Sequence, residues 1–201
     1  MTQYPTPRGP AEVAVHRPTG SIRCLLVLGH GAGGGVDSPD LVAVRNAVCD
    51  HGVAVALVTQ PYRVAGRRAP APAAHLDEAW AAVVTALHKG RDADLPLVVG
   101  GRSSGARVAC RTAVAVGASG VLALAFPLHP PGHPERSRDS ELRTGIPTLV
   151  VNGDRDPFGV PEPSDGVEVA IRPGARHDLR NDLRGTSALV IDWLCRMDFA
   201  T

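Results

Sequence analysis

From residue 21 onward, short β-branched apolar runs alternate with longer segments whose apolar positions recur at helical spacing. Ile22–Leu28, Val53–Thr59, Leu95–Val99, Gly120–Phe126, Ile146–Val151 and Val167–Ile171 predict strands. Their apolar character is nearly unbroken, as central strands covered on both faces require. Residues 39–50, 73–89, 104–116 and 185–197 predict helices. Asp37, Ser38 and Pro39 supply the start signals of the first, and Gly52 and Gly117 act as stops. This alternation predicts a three-layer α/β/α sandwich around a mostly parallel central sheet. The first twenty residues predict an N-terminal extension or an antiparallel edge strand. No internal repeat or boundary is visible, so the expectation is a single domain over residues 1–201.

Two stretches interrupt the pattern, 60–72 (QPYRVAGRRAPAP) and 127–145 (PLHPPGHPERSRDSELRTG). Rich in Pro, Gly and Arg, they are expected to form no regular core element. Loops of this length are uncommon in compact domains unless they bind something, so they are either surface connections or the lining of a site.

Composition narrows the functions on offer. The 201 residues are 44% hydrophobic and 20% charged, the profile of a globular domain. Lys+Arg 21 against Asp+Glu 20 leaves a formal charge of +1, so no global field recruits nucleic acid or an anionic membrane. Aromatics at 3% argue against base-stacking platforms. No run approaches a membrane span, and the N-terminus has no apolar signal-peptide core. Cys24, Cys49, Cys110 and Cys195 are scattered through apolar runs; free, buried thiols and a cytoplasmic location are expected.

Gly101-Arg102-Ser103-Ser104-Gly105 fits G-x-S-x-G between the apolar run LPLVVGG and a predicted helix. Flanking glycines let the chain turn sharply, lifting the Ser103 hydroxyl out of the sheet at a helix N-terminus. A strand–helix turn whose serine is merely an N-cap reads the same way. A nucleophilic serine needs a histidine base and an acid to orient it. Asp154 and Asp156 follow one predicted strand, and His177 follows the next, in a glycine-containing loop. All fall just past strand C-termini, where parallel sheets present their sites. The first predicted strand runs into Gly29-His30-Gly31-Ala32-Gly33-Gly34-Gly35, a turn dense in exposed backbone N–H groups.

Together HGAGGG, GRSSG, NGDRDPFG and GARHDL resemble the α/β-hydrolase superfamily, in its small, capless, dienelactone-hydrolase-related branch. The resemblance covers about residues 21–198. It implies Ser103 as nucleophile, Asp156 rather than Asp154 as acid, and His177 as base. The backbone N–H groups of Ala32 and Ser104 become the oxyanion donors. It implies a serine hydrolase acting on an ester-type small-molecule acyl substrate, carboxylic ester or thioester. Neither metal nor organic cofactor is implied. Without a cap, substrate selection falls to the loops, with Tyr62, Phe126, Leu128 and His129 as candidate pocket residues.

Other readings compete. Gly29–Gly34 also fits G-x-G-x-x-G, a dinucleotide-binding turn. That reading wants an acid at the end of the next strand, where Val58-Thr59-Gln60-Pro61 supplies none. His129 and His133 are four apart, but the intervening prolines and glycine prevent the helix that would align them on a metal. A non-catalytic binding or scaffold protein on the same fold is the remaining alternative.

Overall fold

The computed structural model describes all 201 residues. Its centre is an eight-stranded sheet: β1 Thr2–Tyr4, β2 Ala11–His16, β3 Cys24–Gly29, β4 Val53–Thr59, β5 Leu97–Arg102, β6 Gly120–Leu124, β7 Thr148–Gly153 and β8 Val167–Arg172. The spatial order is β1-β2-β4-β3-β5-β6-β7-β8. β3 to β8 run parallel, whereas β1 and β2 add an antiparallel edge. The N-terminal twenty residues thus contribute two strands, β2 pairing along β4 from Glu12↔Thr59 to His16↔Val55. The helices are α1 Pro39–Cys49, α2 Pro61–Val64, α3 Ala73–Leu87, α4 Ser104–Thr112 and α5 Leu183–Arg196.

Strand residues divide by parity between two cores. Leu25 and Val27 of β3, with Ala54, Ala56 and Val58 of β4, join Trp80 of α3 and Val108 of α4 on one face. Leu26 and Leu28, with Val53, Val55 and Leu57, join Val44 of α1 and Trp193 of α5 on the other. Period-two side chains with both faces apolar explain why the runs read as unbroken hydrophobic stretches. These are the three layers the sequence predicts.

The stretch 60–72 departs from expectation at its start. Pro61–Val64 form one helical turn, with Pro61 and Tyr62 buried. Proline at the first helical position costs no hydrogen bond, and the Gln60 carbonyl accepts from Arg63 and Val64. Residues 127–145 contain only the short 3-10 turn Asp139–Leu142. Of the four thiols, all free, Cys24 and Cys110 are buried while Cys49 and Cys195 are half-buried. Burial pushes the Cys24 thiol up to about 12. No helix is long and apolar enough to cross a membrane.

The winding decides where chemistry can sit. From β3 the chain steps to β4 on one side, then returns to β5 on the other. Loops leaving the C-terminal ends of β3 and β5 therefore diverge, and a small cavity lies beside them, bordered by His30 and Ser104. Those loops carry the glycine-dense turn and Ser103.

Candidate active site

The turn that carries Ser103 is built by close approach. A Cβ on Gly105 would collide with the Gly29 carbonyl and come within 2.8 Å of the His30 carbonyl oxygen; one on Gly101 would reach 2.8 Å from the Gly105 carbonyl carbon. Only glycines let α4 start this tightly against the end of β3. Ser103 then takes φ 54° and ψ −112°, strained for a residue with a side chain. Such strain costs about 1–3 kcal/mol, sustained here by the packing around it. Its backbone N–H is held by Leu124 O at 2.9 Å.

Ser103, His177 and Asp156 form one hydrogen-bonded line. Ser103 Oγ lies 2.8 Å from His177 Nε2. His177 Nδ1 lies 2.8 Å from Asp156 Oδ2. With Nδ1–H donating to the carboxylate, Nε2 is left to accept the serine proton. The Asp156 side chain has no exposed surface, whereas that of His177 is 17% exposed. Two further donors satisfy the buried carboxylate: Phe158 N–H at 2.8 Å on Oδ1 and Asn152 Nδ2 at 3.3 Å on Oδ2. Phe158 also lays its ring along His177, centroids 4.2 Å apart and planes at 32°. Asp154 does something else. Its Oδ1 accepts from Gly174 N–H at 2.7 Å, and with Arg155 N–H on Ala175 O (3.0 Å) it ties the acid loop to the histidine loop.

The glycine-dense turn is fixed from beneath. His30 is buried, its Nδ1–H donating to Gly31 O at 2.8 Å and its Nε2 accepting from Gln60 N–H at 3.1 Å. Burial, outweighing the Gly31 contact, holds its pKa below the ordinary histidine value, and both bonds suit the neutral ring. Tyr62 Oη donates to Ala32 O at 2.7 Å. The Ala32 N–H has no partner within the chain. The Ser104 N–H, in the first turn of α4, is of the kind no helix satisfies internally.

At low overall sequence similarity, the chain aligns along its length with known proteins. A family model described as an alpha/beta hydrolase domain matches residues 22–187. The chain belongs to the α/β-hydrolase family. Among solved structures, the chain resembles an alpha-beta serine hydrolase homologue from Coxiella burnetii, 19% identical over 96% of each chain with a TM-score of 0.78. A lidless α/β serine hydrolase from Xanthomonas campestris is also 19% identical, over 97% of this chain and 93% of that one, at 0.77. A dienelactone hydrolase from Anabaena variabilis is 18% identical, over 97% and 95%, at 0.75. At these identities the likeness is one of fold. No curated protein matches in sequence.

The candidate pocket residues scatter. Tyr62 is buried beneath the glycine-dense turn, its ring near His30, and it lines a small cavity with Leu76, Trp80 and Ser104. Phe126 is wholly enclosed in the core layer shared with Trp80. Leu128 faces a groove with Val160 and Glu162. His129 buttresses the acid loop, its N–H donating to Phe158 O at 2.9 Å and its ring filling the space over Gly159. His133 Nδ1 lies 3.1 Å from a carboxylate oxygen of exposed Glu135. Phe158, Asn152, Arg102 and Asp40 escape sequence reading; only the fold reveals their contacts.

Proposed function

We propose that this α/β hydrolase is a serine hydrolase cleaving an ester-type bond, carboxylic ester or thioester, of a small acyl substrate. The observation that carries the reading is the unbroken Ser103–His177–Asp156 line at 2.8 Å per link, on a strained serine at a helix N-terminus. In this reading Ser103 Oγ attacks the carbonyl carbon while His177 Nε2 takes its proton. Asp156 stabilises the imidazolium that forms. The developing oxyanion is received by the N–H groups of Ala32 and Ser104. His177 then protonates the leaving alcohol or thiol as the carbonyl re-forms, leaving an acyl group on Ser103. Water, deprotonated by His177, attacks that ester; the bond to Ser103 Oγ then breaks, His177 returns the proton to that oxygen, and the acid leaves. The names of the structural relatives, serine hydrolases and a dienelactone hydrolase, support the same class of chemistry.

A fluorophosphonate probe tests it. Wild-type protein should form a covalent adduct on Ser103, and a folded Ser103→Ala variant should form none. A folded wild type that stays unlabelled would favour the non-catalytic binding role instead.

A further inference from the structure

Arg102, the residue just before the nucleophile, touches the segments that carry the other groups of the site. Its Nε lies 2.9 Å from Asp40 Oδ2, a charge contact too oblique for a hydrogen bond. A terminal NH2 donates to the His177 backbone carbonyl at 3.2 Å. The other terminal nitrogen lies against Gly31, where a Cβ would approach to 2.8 Å.

Asp40 stands in the first turn of α1 and its side chain is 1% exposed. Its other oxygen accepts the Leu41 N–H at 3.0 Å, and Arg102 is the only cation paired with it. A carboxylate so deeply buried requires a cationic partner. The loop from His30 to Ser38, which presents the Ala32 N–H, therefore has one guanidinium packed against Gly31 near its start and charge-paired with Asp40 just past its end. That same side chain holds the histidine loop by its carbonyl. Contacts in three directions need the rigid fork of a guanidinium; a lysine ammonium is a single point on a flexible stem.

We propose that Arg102 and Asp40 are a positioning pair that sets the oxyanion turn and the His177 loop against Ser103. Neither residue is required to meet the substrate. The inference rests on the hydrolase reading above, and it assigns these residues to orientation of the catalytic groups rather than to bulk stability.

The test compares full-length wild type with Arg102→Lys, Arg102→Met and Asp40→Asn. Fluorophosphonate labelling rate and p-nitrophenyl acetate hydrolysis are measured per folded molecule, with thermal unfolding followed in parallel. Both Arg102 variants should lose about 10- to 100-fold in kcat and in labelling rate, the cost of misplacing catalytic groups by about an ångström. KM should stay within about two-fold, because ground-state binding is not touched. Asp40→Asn, which keeps the guanidinium but frees its direction, should fall between them and wild type. Lysine restoring wild-type rates would overturn the proposal, since charge alone would then suffice. Lowered thermal stability with unchanged kcat would overturn it too, leaving only a structural ion pair. An unlabelled, inactive wild type is a different failure, that of the hydrolase reading and of this inference with it.

Discussion

Asp156 Oδ2 sits 2.8 Å from His177 Nδ1, while Asp154, two residues earlier on the same loop, bonds only to backbone. The two carboxylates are thus separated by role. Asp156→Asn should lower kcat by about 10⁴-fold, because the amide favours the wrong imidazole tautomer. Asp154→Asn should leave kcat within about three-fold and cost about 1 kcal/mol of stability through the Gly174 contact. Steady-state kinetics with a model ester decides; equal losses in both variants would mean that the two carboxylates are not separated by role.

How much of this was legible in the sequence depends on the range of each interaction. Strand periodicity is local, so β4 lies where its apolar run places it, Val53–Thr59. The run Leu95–Val99 stops short of the true strand, Leu97–Arg102, because glycines read as punctuation. Gly100 and Gly101 remain in the strand, where Leu122 and Gly105 press too close for any side chain. Ser103 and His177 announce themselves by motif and by position past a strand end. Choosing Asp156 over Asp154 took a family resemblance, since both stand past the same strand. Arg102 and Asp40, Phe158 and Asn152 carry no local signature. Their partners are set by the crossing of loops at the sheet edge, which spacing along the chain does not encode.

Tyr62 lines the small cavity beside Ser104, and its hydroxyl also donates to Ala32 O at 2.7 Å beneath the turn. Tyr62→Phe keeps the ring and removes that bond alone. If the bond orients the turn for the oxyanion, kcat should drop by about ten-fold, corresponding to about 1.4 kcal/mol, with KM nearly constant. A shift in preference among ester chain lengths at constant kcat would restore the residue to a pocket role.

The glycines around Ser103 and His30 predict a sharp contrast in stability. Gly105→Ala would drive its methyl into the Gly29 carbonyl, a backbone atom unable to give way. The expected loss is about 3 kcal/mol, seen as a lower urea midpoint. Gly33→Ala meets nothing within 4 Å and should change stability by less than about 0.5 kcal/mol. Comparable effects at both positions would contradict the close approach of α4 to β3.

His30 predicts how stability responds to acid. In the folded chain burial lowers its pKa from the ordinary 6.5. The unfolded chain therefore takes up this proton first as pH falls. From about one pH unit above 6.5 the ring is neutral in both states, and in the folded one its two bonds are intact. Between that value and the lower folded pKa, the unfolded state binds more protons, so stability falls with acidification, by at most about 1.4 kcal/mol per pH unit for one group. Below the folded pKa the loss from this group is complete. His16, also lowered by its burial and then by Arg45, adds a slope of the same sign. His30→Gln should be less stable than wild type at about pH 7.5, where the neutral ring is fully bonded, yet lose less stability between about pH 6.5 and 5. Urea unfolding of both proteins across that range measures the two slopes. Parallel curves would mean that the His30 proton is not what acid unfolding of the glycine-dense turn has to supply.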